Sequence, residues 1–132
     1  MLTIKTEAKP STIHGLGCFT TQAISKGQVI WEFHDQVDRR YTLEELARLP
    51  PVIIEHFRTY AWLNPADGGA LFSGDHSKFF NHSSRPNTTM TPDGYRCIAN
   101  RDIAAGEELT SDYAELPGIP EVQSIAVAAA GV

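Results

Sequence analysis

The stretch FFNHSSRPNTT, Phe79 to Thr89, puts two aromatic rings directly in front of a run of short polar side chains. Each polar residue has a local use. The Asn81 amide both donates and accepts, and His82 carries polar groups on ring and backbone. Ser83 and Ser84 bond readily to nearby backbone. Pro86 biases Arg85 towards extended backbone, and Pro86-Asn87 closes the segment. On local chemistry alone this is a capped surface loop behind an apolar pair. The stretches on either side change its weight.

Upstream, His14-Gly15-Leu16-Gly17 sets two glycines one residue apart, which permits tight turning and close approach of backbone to a ligand. Downstream, GEELTSDY, Gly106 to Tyr113, reads as a turn and a short strand ending in a tyrosine. That places a phenol at a sheet edge. Taken singly, the first is a turn between strands and the last a half-buried tyrosine with a bonded hydroxyl.

The rest of the chain reads as short elements. Leu2 to Lys5 alternates apolar and polar residues as a half-buried strand does. Gln28 to Phe33 (QVIWEF) is rich in β-branched and aromatic residues and reads as a strand. Thr42-Leu-Glu-Glu45 fits a capping box with Thr42 as N-cap. The helix it opens should end near Leu49, ahead of Pro50-Pro51. Val52 to Trp62 reads as a second helix with Ile53, Phe57 and Tyr60 on one face. Ala70 to Phe72 is a brief strand. Thr88 to Thr91 and Tyr95 to Ala99 flank Pro92-Asp93-Gly94 and read as a hairpin. Glu108 to Ser111 is a further strand. The expectation is an α+β domain, mostly β, built from small antiparallel sheets of short strands. It should form a single domain over residues 1–116, followed by a C-terminal tail over 117–132 that packs on the body or frays.

Composition removes several functions. The 132 residues fit one domain. Sixteen acidic residues against eleven basic ones give a formal net charge of -5. This argues against direct nucleic-acid binding, which needs a basic footprint, and attracts a basic partner such as a lysine-rich peptide. No run approaches the ~18 apolar residues of a membrane span, and the N-terminus lacks the apolar core of a signal peptide. A cytoplasmic protein is expected. Cys18 and Cys97 form no CxxC pair and read as buried free thiols, and the five histidines show no ligand spacing, so no metal site is expected. G-x-S-x-G, P-loop, G-x-G-x-x-G and H-E-x-x-H motifs are absent.

In this order and spacing, HGLGCF, KFFNHSSRPN and GEELTSDY resemble the SET-domain family of protein lysine methyltransferases. The family pattern runs G-x-G, then R-F-x-N-H-S-x-x-P-N, then G-E-E-L-x-x-D-Y. Ile24-Ser25-Lys26-Gly27 ahead of a strand and Ala99 to Ile103 ahead of GEEL match as well. The likeness runs from Ile13 to Tyr113 and is greatest to the short, zinc-free bacterial and viral members. It implies a β-clip-like fold with a C-terminal pseudoknot, where the NHS segment and the last strand pass through or beside one another. That is an exception to the rule that chains rarely thread.

The resemblance also implies S-adenosyl-L-methionine as cofactor, with S-adenosyl-L-homocysteine as product. Backbone around Leu16 and Gly17 would approach the methionine moiety. Asn81 would hydrogen-bond the cofactor, His82 would meet the adenine through its main chain, and Phe79 would pack beside the base. Tyr113 would be the catalytic residue, also touching the cofactor where methyl donor and substrate amine meet. The implied reaction is methyl transfer to the side-chain amine of lysine in a protein, by analogy a histone or histone-like one. For an exported or viral member the implied location is a host nucleus.

Some positions depart from the pattern. The family often has E-Y where this chain has Glu32-Phe33, so Phe33, expected in the substrate channel, brings no hydroxyl. Lys78 replaces the frequent Arg. Ser84 stands where zinc-bearing relatives have Cys, and the tail has no Cys, so no zinc is expected. The tail also lacks an aromatic to cover the adenine. Its Ile and Val residues do this, or another subunit does in a homodimer, or cofactor binding is weak. Two other readings stand beside the enzyme: a catalytically weak SET-like module that binds a peptide or partner protein, and a methyl acceptor that is not a protein.

Overall fold

The structure is a computed structural model in which residues 1–120 are described. Most of the expected tail, from residue 121 onward, lies outside the described residues.

In chain order the elements are β1 (Thr6–Pro10), β2 (Leu16–Thr20), β3 (Val29–Glu32), β4 (Arg39–Tyr41), α1 (Leu43–Ala47), α2 (Pro51–Tyr60), β5 (Trp62–Leu63), β6 (Ala70–Phe72), β7 (Asn81–His82), β8 (Thr88–Met90), β9 (Arg96–Ala99) and β10 (Glu108–Ser111). Two single-turn 3-10 helices, His76–Phe79 and Tyr113–Glu115, stand before β7 and after β10. The strands form three small sheets ordered β1-β2-β10-β7, β3-β9-β8 and β4-β6-β5. β7 and β10 pair in parallel, and every other named pairing is antiparallel. The NHS segment and the last strand thus lie side by side, as the resemblance implies.

Local chemistry explains several elements. Thr42 Oγ1 accepts from Glu45 N and the Glu45 carboxylate accepts from Thr42 N, both at 3.1 Å, closing the expected capping box at the head of α1. Pro51 opens α2, where its missing N–H costs nothing. The β8–β9 hairpin turns through Gly94, with φ 77°. A Cβ there would strike the Asn64 side chain, whose Nδ2 donates to Asp93 O at 2.9 Å. Glycine is therefore required at this turn by conformation and by space.

Two readings need correction. Leu2 to Lys5 is not a regular strand. Leu2 makes a single bridge to Trp31, and its N–H goes to the Asp75 carboxylate at 2.7 Å. The alternation marks side-chain burial, Ile4 inside and its neighbours out, while the backbone finds scattered partners. In α2 the inward face carries Ile54 and Phe57, and Ile53 is 39% exposed. Residues 53, 57 and 60 and residues 54, 57 and 61 fit a helical period equally well. Packing against Leu46 of α1 and Ala70 of β6 decides between them.

The core has two parts. One gathers Cys18, Ile30, Trp31, Cys97 and Leu109 of the first two sheets with Leu71 of β6, and the other gathers Leu46, Ile54 and Phe57 of the helices with Ala70 of β6. Ile119 is buried in the second, and Leu63 N donates to Pro117 O at 2.7 Å, so the described start of the tail lies against β5. Cys18 and Cys97 are buried free thiols. Burial pushes them up to about 12 and about 11 respectively.

Candidate functional site

The parallel register sets Asn81 beside Thr110 and His82 beside Ser111. From there the buried Asn81 side chain turns back to the glycine turn. Its Nδ2 donates to His14 O at 3.0 Å, Leu16 O at 3.2 Å and Glu108 Oε2 at 2.9 Å. All three partners only accept, which assigns the amide nitrogen to this side. The Glu108 carboxylate also takes the Ser11 hydroxyl at 2.8 and 2.9 Å. A Cβ on Gly17 would lie 2.5 Å from Glu108 Oε2. The residue facing that carboxylate can therefore carry no side chain without displacing it. The three motifs meet at one amide and one carboxylate.

Asn87 continues the clamp along β10. Its Nδ2 donates to Glu108 O at 2.8 Å and its Oδ1 accepts from Thr110 N at 2.9 Å. Thr88 Oγ1 donates to Thr110 O at 2.7 Å. A satisfied buried polar network of this kind fixes one arrangement of the segments.

His82 and Tyr113 form the next layer. His82 Nδ1 accepts from Tyr113 N at 3.0 Å, so the proton of the neutral ring sits on Nε2. The two rings lie 5.3 Å apart, inclined at 56°. The Tyr113 hydroxyl donates to Phe80 O at 2.7 Å. Burial, and then the Glu108 charge, raise the Tyr113 pKa above the ordinary phenol value. The phenol is neutral, its proton is committed to a carbonyl, and its oxygen lone pairs are left to accept.

Tyr113 also borders a cavity of about 270 Å³. Trp31, Trp62, Phe80, Met90 and Cys97 give it apolar walls. Among the described residues its charged lining residues are Arg58, which is ion-paired with Glu55 at 3.3 Å, and Lys78, and no carboxylate lines it. Trp31 Nε1 is buried and has no hydrogen-bond partner among the described residues.

Of the residues singled out in the sequence, Leu16, Gly17, Asn81, His82 and Tyr113 form one connected group. Phe33 and Phe79 stand apart from it. The Phe33 ring meets Tyr95 at 5.5 Å and Trp31 at 6.5 Å, and Trp31, two residues earlier, lines the cavity instead. The Phe79 ring lies 5.9 Å from Tyr60, edge to face, and its neighbour Phe80 lines the cavity. Sequence reasoning missed Glu108, Trp62 and Phe80. Glu108 and Phe80 lay inside the quoted motifs, but nothing in a motif says which side chain turns inward. Among the described residues no group of three His, Cys, Asp or Glu is placed to hold a metal ion, and no helix is long and apolar enough to cross a membrane.

Residues 15–114 match the SET domain family. Over 115 residues the chain is 30% identical to the histone-lysine N-methyltransferase MEDEA of Arabidopsis thaliana, covering 78% of this chain and 16% of that protein. Over 113 residues it is 33% identical to an H3 lysine-4 specific histone-lysine N-methyltransferase of Schizosaccharomyces pombe, covering 79% and 12%. The chain thus spans less than a fifth of these relatives. Among solved structures, its fold is similar to that of the Chaetomium thermophilum Polycomb Repressive Complex 2 in an autoinhibited conformation bound to S-adenosylmethionine, with a TM-score of 0.67. The match has 20% identity and covers 95% of this chain and 17% of that one.

Proposed function

The chain belongs to the SET-domain family, and on that premise we propose that it transfers a methyl group from S-adenosylmethionine to the side-chain amine of a protein lysine. The carrying observation is Tyr113. Its ring lies against His82, and Tyr113 also borders the cavity walled by Trp31, Trp62 and Phe80.

The residues present fit the cofactor. Leu16 and His82 are exposed, Gly17 facing Glu108 has no side chain, and the Glu108 carboxylate supplies negative potential suited to a sulfonium. Backbone at Leu16, Gly17 and His82 would hold it, with Asn81 locking the two segments together. When bound, S-adenosylmethionine would supply an electrophilic methyl group that a neutral amine can attack in one step, with S-adenosylhomocysteine as the leaving group.

This chain's residues do the rest. The cavity receives the lysine side chain and excludes water. A lysine amine has an ordinary pKa of ~10.4 and must be neutral to attack. Apolar walls and the lining Lys78 disfavour the ammonium form, and no carboxylate lines the cavity among the described residues, so the amine loses its proton to solvent before it enters. Tyr113 O accepts from the amine and holds it in line. Positioning of this kind contributes up to ~7–11 kcal/mol in favourable cases. The net charge of -5 favours a basic substrate, a histone or histone-like protein.

Calorimetric titration with S-adenosylmethionine tests the cofactor half of this reading. Saturable one-to-one binding is expected, weakened at least tenfold in Asn81→Ala. No saturable binding, with the protein folded, would overturn it.

A further inference from the structure

Beside the cavity at Tyr113 lies a second, of about 260 Å³, and the two share Trp62 and Met90 as walls. Pro65, following β5, and Pro92, in the β8–β9 turn, form further sides. Glu115 is its one charged lining residue among the described residues. The Asn64 side chain at its edge is already used within the protein, donating to Asp93 O and accepting from Ala66 N. Glu115 is partly buried, and its carboxylate has no ion pair among the described residues. Burial, with Asp112 adding its charge, raises its pKa. A carboxylate in that situation gains from a cation.

We propose that this second cavity is a substrate subsite for a basic side chain, a lysine or arginine one or two positions from the target lysine, with Glu115 as the residue that recognises it. This rests on reading the first cavity as the place of the target amine. An extended peptide advances ~3.3 Å per residue, so a near neighbour of the target is what a cavity sharing a wall with the first would meet. Trp62, Pro65, Met90 and Pro92 suit the alkyl stem of a basic side chain, while its charged head reaches Glu115. An arginine head can also lie over the Trp62 indole. An acidic or apolar neighbour would leave the carboxylate unpaired or repelled.

The test uses the full chain and fluorescent peptides with one target lysine and Arg, Gln or Glu at each position from two before to two after it. Binding is read by anisotropy with S-adenosylhomocysteine present, and methyl transfer is measured in parallel. At one of these positions Arg should bind at least tenfold more tightly than Gln, and Glu more weakly still. Glu115→Gln should remove the difference while leaving the Gln peptide unchanged, and Glu115→Arg should shift preference to the Glu peptide. A flat charge scan, or a preference that survives Glu115→Gln, overturns the subsite. Charge discrimination in binding without any transfer keeps the subsite and removes the methyltransferase reading; transfer with a flat scan does the reverse.

Discussion

Asn81 Nδ2 stands 2.9 Å from the Glu108 carboxylate, and the same nitrogen reaches the carbonyls of His14 and Leu16. One buried amide thereby joins segments 67, 65 and 27 residues distant in sequence. Removing it leaves buried acceptors unsatisfied, at about 1–3 kcal/mol. Asn81→Ala should lower unfolding stability by about that much. Asn81→Asp should cost more, since a carboxylate cannot donate and would face Glu108. Urea unfolding of both variants checks the order.

Gly17 is constrained by space. Its φ is unremarkable, but a Cβ would lie 2.5 Å from Glu108 Oε2 and 2.8 Å from Cδ. Gly17→Ala must push Glu108 off Ser11 and Asn81. Its cost should therefore be non-additive with Ser11→Ala, with a coupling of about 0.5–3 kcal/mol in a double-mutant cycle. Additivity would mean that Glu108 moves freely.

The corrected face of α2 gives a sharp contrast. Ile54 is 1% exposed and packs in the second core, while Ile53 is 39% exposed. Ile54→Ala should cost about 2–5 kcal/mol and Ile53→Ala about 0.5 kcal/mol or less. Thermal or urea unfolding separates them.

The two thiols make stability fall in alkali. Their folded values, about 12 for Cys18 and about 11 for Cys97, lie above the ordinary 9.0. The unfolded chain therefore loses these protons first. Their stabilisation is complete below pH 9 and is lost as pH rises through the folded values. Urea midpoints should decline from pH 9 upward, and the decline should shrink in Cys18→Ala. At pH 8 a thiol reagent should label neither cysteine until the protein unfolds.

Much of this arrangement was legible where local chemistry is decisive. The Thr42 capping box, the hairpin through Gly94 and the strand at Val29–Glu32 follow from short-range rules. The order of the three motifs led to the site, because Asn81, His82 and Tyr113 each carry a polar group whose partner lies in another motif. What sequence could not give was direction. Phe79 and Phe80 are identical in type, yet only Phe80 borders the cavity and lends its carbonyl to Tyr113. Phe33 and Trp31 sit on one strand run, yet Trp31 lines the cavity while the Phe33 ring meets Tyr95 edge to face. Glu108 was read only as the start of a strand, and the fold shows that it faces Gly17 and Asn81.

The central claim is that Tyr113 orients a lysine amine for methyl transfer. The most direct measurement is transfer of labelled methyl from S-adenosylmethionine to a lysine-rich protein, with the modified residue located by mass spectrometry, for the wild type and Tyr113→Phe at equal folded concentration. Label is predicted on lysine, with turnover in Tyr113→Phe reduced by about a hundredfold or more and cofactor affinity changed little. Absence of lysine label in the wild type, or undiminished turnover in Tyr113→Phe, would contradict the account.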